Sequence, residues 1–373
     1  MHPAHTLLCT VGTSLLRHLA VEPEASELPA AARAFARGDL KAVVQMLAGL
    51  DPADRRLGAE INSVAELWDR GRITSDARIE LFHSATDEGR SVAEVLGHYF
   101  QARGHETRRV EVEHLQDAQP RLFKSKGLRN LAKVLCQSVR RWGTAATAID
   151  ATGGYKAQIA VAVLIGQALG LPVYYKHERF SEIIDFPPMP VSLDLGLWMR
   201  WSGLLLALDR NELVPWSQVE RDWEPALETL IDRVPVEGEA YLDLSYMGQI
   251  FLESLRDRFA RGREAMLPPP AEPSRKQPVH LTGHNWGGAR AAVQRFLERV
   301  VEEVPYVVRC RDHYWNPDLP SAPMFRLRGD RIEGVYSDGT WTVKFWVDTT
   351  ATHPGQIEAC VADLNGRLEG WIR

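Results

Sequence analysis

Three short stretches of small polar residues each follow an apolar run: Gly12-Thr13-Ser14, Ser84-Ala85-Thr86 and Thr152-Gly153-Gly154-Tyr155-Lys156. A small-residue turn between a strand and a helix exposes consecutive backbone N–H groups, and the helix N-terminus adds partial positive charge. Glycines admit close approach of a ligand or another backbone; the threonine and serine hydroxyls and the mobile Lys156 cation add polar partners. Such a turn suits a polar, anionic ligand. The plainer alternative is a set of tight turns whose lysine faces water. None of the three is G-x-x-x-x-G-K-[ST] or a full G-x-G-x-x-G, so neither the nucleoside-triphosphate loop nor the dinucleotide fingerprint is present. A second group of polar residues lies near the C-terminus. There, strand alternation puts Arg326 and Arg328 on one face, opposite Phe325 and Leu327.

Those turns must be held by strands and helices, and the flanking sequence supplies both. His5 to Val11, Arg78 to His83, Thr107 to His114, Thr147 to Ile149 and Pro172 to Lys176 read as strands, with Phe180 to Phe186 as a further hairpin partner. Between them lie helical stretches: most of 17–75, Ser91 to Arg103, Arg121 to Arg141 and Gln158 to Leu169. The basic face of 121–141 reads as solvated. Strands alternating with helices predict an α/β, Rossmann-like, mostly parallel sheet with right-handed crossovers. Parallel topology gathers the carboxyl ends of strands on one edge, so the three turns are expected to converge there.

Composition narrows the class. At 373 residues the chain is long enough for two or three domains, and 45% hydrophobic with 25% charged residues is ordinary for a soluble protein. A net charge of −5 gives no bulk attraction for nucleic acid, so anionic partners need local clusters. Cys9, Cys136, Cys310 and Cys360 are scattered, with no CxxC pair and no zinc spacing, which predicts buried thiols in a reducing compartment and no metal or cofactor. No charged n-region with an apolar core opens the sequence, and no apolar run reaches spanning length; the expected location is cytoplasmic, with no membrane partner.

Four motifs in order, Thr10-Val11-Gly12-Thr13-Ser14-Leu15, Ala59-Glu60-Ile61-Asn62-Ser63, Ser84-Ala85-Thr86-Asp87-Glu88-Gly89 and Asp150-Ala151-Thr152-Gly153-Gly154-Tyr155-Lys156-Ala157, resemble the CARF sensor domains of type III CRISPR accessory proteins. The resemblance covers residues 1–190. It implies a homodimer that binds a cyclic oligoadenylate, cyclic tetra-adenylate foremost, across its two-fold axis as an allosteric activator. A symmetric ring is matched by one patch supplied twice. Gly12, Thr13, Ser14, Ser84, Thr86, Thr152, Gly153, Gly154, Tyr155 and Lys156 would be the ligand-binding residues. Some CARF domains also cleave their ligand slowly.

Residues 191–264, rich in Leu and Trp, are expected to form a helical connector, either a bundle packed on the sensor or a docking surface for a ribosome or ribosomal protein. Residues 265–279 carry five prolines in 261–279 and read as a linker. A tail domain, 280–373, then shows a helix (Gly288 to Val304), strand-like segments with a hairpin turn at Asp338-Gly339, and a closing helix from Gln356, a small α+β layout.

Two nucleolytic chemistries are disfavoured in that tail. The Arg-x4–6-His of HEPN ribonucleases is met only by Arg275-x4-His280, which contains Pro278, and by Arg109-x4-His114 on a strand. An Asp…Glu-x-Lys metal nuclease fails because Thr342 stands two residues before Lys344. Layout and the basic strand instead resemble the RelE fold of ribosome-dependent messenger-RNA interferases. That likeness implies cleavage of mRNA without metal, with cations stabilising the phosphorane charge as the 2′-hydroxyl attacks in line. Arg326, Arg328 and Arg331 would form its core, and Lys344 or His353 would supply proton transfer or further charge. The tail holds 11 Lys and Arg against 12 Asp and Glu over 281–373, less basic than such enzymes tend to be; a solvated strand face is the alternative. Two rival readings stay open for the whole chain: a regulator whose middle segment binds DNA as a winged helix, and a ring nuclease with a structural tail.

Overall fold

Six of the seven residues of β1 (Ala4–Thr10) are buried, as expected of a central strand covered on both faces. The computed structural model describes residues 2–177, 180 and 182–372 and divides the chain into two units, 1–192 and 193–373.

In the first unit β1 leads into α1 (Leu16–Leu19), α2 (Pro29–Ala36), α3 (Leu40–Ala48) and α4 (Ala59–Asp69) before β2 (Ile73–Ser84). Then follow α5 (Asp87–Ala102), β3 (Thr107–Val112), the short α6 (Pro120–Leu122), α7 (Leu128–Trp142), β4 (Thr147–Asp150), α8 (Lys156–Leu169), β5 (Val173–Tyr175) and β6 (Ile184–Phe186). The sheet order is β3-β2-β1-β4-β5-β6. The first five strands are parallel and β6 runs antiparallel to β5. The α/β, mostly parallel expectation therefore holds. Strand β2 is longer than the sequence suggested. Of the hairpin expected over 180–186, residue 181 lies outside the described residues. The order reverses between β1 and β4, so the connections after these two strands leave in opposite directions and open a crevice between them.

The second unit begins with α9 (Leu195–Asp209), followed by β7 (Val214–Pro215), three short 3₁₀ turns, β8 (Ile231–Val236), β9 (Glu239–Leu244) and α10 (Tyr246–Met266). The stretch expected to be helical throughout therefore contains a three-stranded sheet, β7-β9-β8. The reason is the hairpin turn at Glu237-Gly238, where both residues take positive φ (50° and 90°), a geometry whose twist matches that of the flanking strands. After it come α11 (Arg290–Glu303), β10 (Val307–Asn316), β11 (Met324–Arg328), β12 (Arg331–Ser337), β13 (Thr342–Thr349) and α12 (Pro354–Ile372). Strands β10-β13-β12-β11 form an antiparallel sheet.

One face of that sheet packs Phe325, Ile332, Val343 and Phe345 with Phe296 of α11 and Leu364 of α12. A second core joins Leu205 of α9, Leu252 of α10, Met324, Val335 and Ala362. Residues 193–266 and the C-terminal sheet thus share buried surface. The proline-rich stretch 265–279 is held along the C-terminal segment by backbone hydrogen bonds from Ala271 to Pro305 and from Gln277 to Val308, both 2.9 Å. All four cysteines are free and buried. No helix among the described residues is long and apolar enough to cross a membrane.

Candidate functional sites

The crevice between β1 and β4 brings together the turns that the sequence singled out. Gly12, Thr13, Ser84, Thr86, Gly154 and Tyr155 line one open cavity of about 700 Å³. The β1 and β4 turns touch: a Cβ on Gly12 would sit 2.6 Å from the Gly154 nitrogen, so only glycine fits there. Thr86 caps α5 through the Gly89 N–H (3.0 Å) and exchanges a hydrogen bond with the Ser84 hydroxyl (2.9 Å). Glu88 of the second motif also lines it, as do Arg17, Asp117 and Gln158, three residues that lie outside the turn motifs and so gave no local signal.

Other predicted ligand residues hold the turns instead of lining this cavity. Thr152 is buried; its hydroxyl donates to Asp150 (2.5 Å) and accepts the Lys176 N–H (3.0 Å). Gly153 offers its carbonyl to the Thr10 hydroxyl (2.6 Å). Ser14 lines a neighbouring cavity of about 480 Å³ with Arg17, Arg55, Lys176 and His177. Lys156, the first residue of α8, is exposed.

Below the turns lies a buried acidic pair. Glu60 and Asp150 are each about 1% exposed. Glu60 accepts the Gly12 N–H (2.6 Å) and the Ser14 hydroxyl (3.2 Å), while Asp150 accepts the Thr152 N–H (3.1 Å) and the Ser63 hydroxyl (2.5 Å). The Gly12 amide, which the motif suggested for the ligand, is therefore engaged by a side chain of α4. Burial pushes the Asp150 carboxyl up to about 6, with Glu60 adding to the rise and the Ser63 and Thr152 hydrogen bonds opposing it. The α4 motif (Ala59 to Ser63) thus fixes both turns from beneath.

The second site is the polar part of the C-terminal sheet's other face, beside Met324 and Val335 of the second core. Register sets Arg326 beside Glu333, Glu333 beside Trp346, and Tyr314 beside Lys344. Arg326 donates to Glu333 through Nε (2.8 Å) and Nη2 (2.6 Å). Arg328 reaches the same carboxylate at 3.5 Å and pairs with Asp222. Arg331 lies 4.0 Å over the Trp346 ring, and the Lys344 ammonium 4.6 Å from the Tyr314 ring centre. An irregularity between Asp312 and Tyr314 accommodates His313, which stacks on Trp346 at 4.4 Å and meets Glu333 through Nε2 at 3.1 Å.

Burial would raise the Glu333 carboxyl, but Arg326, Arg328 and Lys344 hold it below the usual range, so it is ionised. Burial lowers His313, partly opposed by Glu333. A carboxylate only accepts, so Nε2 carries the proton toward Glu333 and neutral His313 keeps its lone pair on Nδ1. Burial and the neighbouring Arg326 lower Lys344 as well.

The structure gathers Arg326, Arg328, Arg331 and Lys344 on one face. His353 stands apart from them: its Nδ1 accepts the Gln356 N–H (3.4 Å) at the start of α12. His313 and Glu333, twenty residues apart, went unrecognised in the sequence. Among the described residues no group of three or more His, Cys, Asp or Glu could hold a metal.

An α/β sheet with its cavity at the switch point, joined to an antiparallel sheet with a cationic face, is the class this architecture defines. Residues 55–189, just over a third of the chain, match the model of a CRISPR-associated protein family, Cas_APE2256. The match supports a CRISPR accessory protein. It runs from just before α4 to just past β6 and includes two of the three turns; β1 and Gly12 precede it. No curated protein matches the chain.

Proposed function

We propose that the protein is a ribonuclease of CRISPR defence switched on by a cyclic oligoadenylate, cyclic tetra-adenylate foremost, bound by the N-terminal unit of a homodimer. The observation that carries this is the meeting of the Gly12, Ser84 and Gly154 turns in one cavity of a unit whose residues 55–189 are similar to a CRISPR-associated family. Backbone donors, hydroxyls and Arg17 suit phosphate and ribose edges, and Tyr155 offers a ring for an adenine.

In the tail, the cationic face supports metal-independent cleavage of mRNA. The 2′-oxygen attacks phosphorus, the bond to the 5′-oxygen breaks, and a 2′,3′-cyclic phosphate and a 5′-hydroxyl result. Arg326, Arg328 and Lys344 stabilise charge on the non-bridging oxygens. His313 takes the 2′-hydroxyl proton on Nδ1 and returns it to the leaving oxygen, with Glu333 fixing its tautomer. Cutting on ribosomes, through docking by residues 191–264, fits the weakly acidic tail.

A second reading, a DNA-binding regulator, draws on the β7-β9-β8 sheet, whose hairpin from Asp232 to Ala240 is exposed, as the wing of a winged helix. Against it, two arginines of α10 already face carboxylates: Arg256 at mid-helix with Glu369 (3.8 Å) and Arg263 in the last turn with Asp363 (3.3 Å). One experiment separates the readings. Cyclic adenylates of several ring sizes are titrated into the full-length protein with ribosome-bound message, naked RNA or duplex DNA. Message cleavage dependent on one ring size supports the proposal. DNA retention supports the regulator, and loss of the cyclic nucleotide alone a ring nuclease.

A further inference from the structure

The arginines assigned to RNA are not open to it as they stand. Arg326 directs Nε and Nη2 at Glu333 and Nη1 at the Gln218 carbonyl (3.1 Å). Arg328 pairs Nη1 with the Asp222 carboxylate and turns Nη2 toward the same Gln218 carbonyl (3.5 Å). Glu333 belongs to the sheet itself, one strand away. Gln218 and Asp222 do not: they lie on two 3₁₀ turns between β7 and β8, a strap laid across the end of β11.

The strap is anchored at both ends by contacts that leave the arginines out. Near its start and finish Trp216 and Trp223 meet at 4.8 Å, with the Arg233 guanidinium 3.7 Å over Trp216. At its far end Glu224 accepts from Arg200 (3.0 and 2.9 Å) and from the Trp201 ring nitrogen (2.7 Å) on α9. Between these anchors Val219 is buried, and a cavity of about 250 Å³ separates parts of the strap from α9 and β11, bordered by Trp201, Gln218, Asp222, Arg326 and Gly329. Val219 packs in the core that includes Leu204 and Leu205 of α9, whereas Gln218 and Asp222 on either side of it face the arginines.

Guanidinium forks bind carboxylate and phosphate by the same geometry. We propose that the Gln218–Asp222 strap is an internal anion mimic: its carboxylate and carbonyl occupy the donors of Arg326 and Arg328 that an RNA phosphate would use, and RNA and strap exclude one another. The inference rests on reading the C-terminal face as an RNA site and adds its gate. Any signal that shifts the strap then opens the site without moving a strand of the sheet.

The test measures binding of a labelled single-stranded oligoribonucleotide to the full-length protein by anisotropy, at low salt and with no cyclic nucleotide. The proteins are wild type, Asp222→Asn, Asp222→Ala, Arg328→Ala and the Asp222→Asn/Arg328→Ala pair, each checked by thermal melting. Removing a competing, partly exposed ion pair should tighten RNA binding about two- to fivefold in both Asp222 variants. The added Arg328→Ala change should abolish that gain. Equal affinity of wild type and Asp222→Asn, with Arg328→Ala weakening both, overturns the gate and leaves the RNA reading standing. A gain that survives Arg328→Ala reports bulk charge and also overturns it. A lowered melting temperature with no gain makes the pair structural and overturns it too. Absence of binding by every protein overturns the gate together with the RNA reading.

Discussion

Replacing Asp150 by Asn should convert a pH-dependent sensor unit into a nearly pH-independent one at that position. The buried carboxyl is pushed up to about 6 from an ordinary 3.8, so the folded state binds its proton more tightly than the unfolded state. The sign follows: its contribution is fully present below the unfolded value and is lost as pH rises through the folded one. At 1.36 kcal/mol for each pKa unit the full span is about 3 kcal/mol. Between pH 4.5 and 7.5 about 2 kcal/mol of it is traversed. Asparagine keeps the local bonds: its oxygen accepts from the Thr152 N–H and hydroxyl, and its amide donates to Ser63, whose single proton then turns from position 150 to the Glu60 carbonyl 3.1 Å away. Urea denaturation of the full-length wild type and variant at each pH supplies the difference between them, in which the other titrating groups largely cancel. Wild type should lose about 2 kcal/mol relative to the variant as pH rises from 4.5 to 7.5. Two curves that stay parallel across that range would refute the reasoning, since a solvated carboxylate gives no such divergence.

Other expectations follow from the same contacts. Gly153→Ala places a methyl against the Glu60 carboxylate, the Thr10 carbonyl (2.5 Å) and the Gly12 nitrogen (2.7 Å); a loss of cyclic tetra-adenylate binding, read by calorimetry, together with a lower melting temperature is expected. Arg17→Ala, at a residue bordering both cavities, should weaken that binding roughly tenfold, read by calorimetry. His313→Ala should lower RNA cleavage about 10²- to 10⁴-fold with RNA affinity kept, measured by single-turnover cutting; His353→Ala should leave cutting near wild type. Asn365→Ala leaves the Phe325 N–H and C=O, both 2.8 Å from the Asn365 amide, without that partner in the core, and should cost about 2–4 kcal/mol in chemical denaturation.

Much of the N-terminal unit was legible because its signals are local. Apolar runs ending in Gly, Ser or Thr marked β1, β2 and β4, and parallel topology then required their turns to meet. What a turn's hydroxyl does was not legible. Thr152 and Ser14 look alike in sequence, yet one is buried on Asp150 and the other borders a cavity, because the partner that decides lies on α4 or two residues upstream. In the second unit the Leu- and Trp-rich composition outweighed the Glu237-Gly238 turn signal, so a hairpin was read as helix. His313, Glu333 and Asp222 come together only through strand register and a strap, and no spacing rule joins positions so far apart in the chain.

Asn365 also bears on how copies of this protein behave near one another. Strand β11 is the outermost of its sheet, and an unpaired margin of that kind invites a strand from another molecule. The amide of Asn365 occupies both backbone groups of Phe325 at that margin, and α9 lies alongside, with Gly203 against the Phe325 carbonyl. A neighbouring strand approaching there meets backbone groups of Phe325 that are already taken, which works against edge-to-edge pairing at that point.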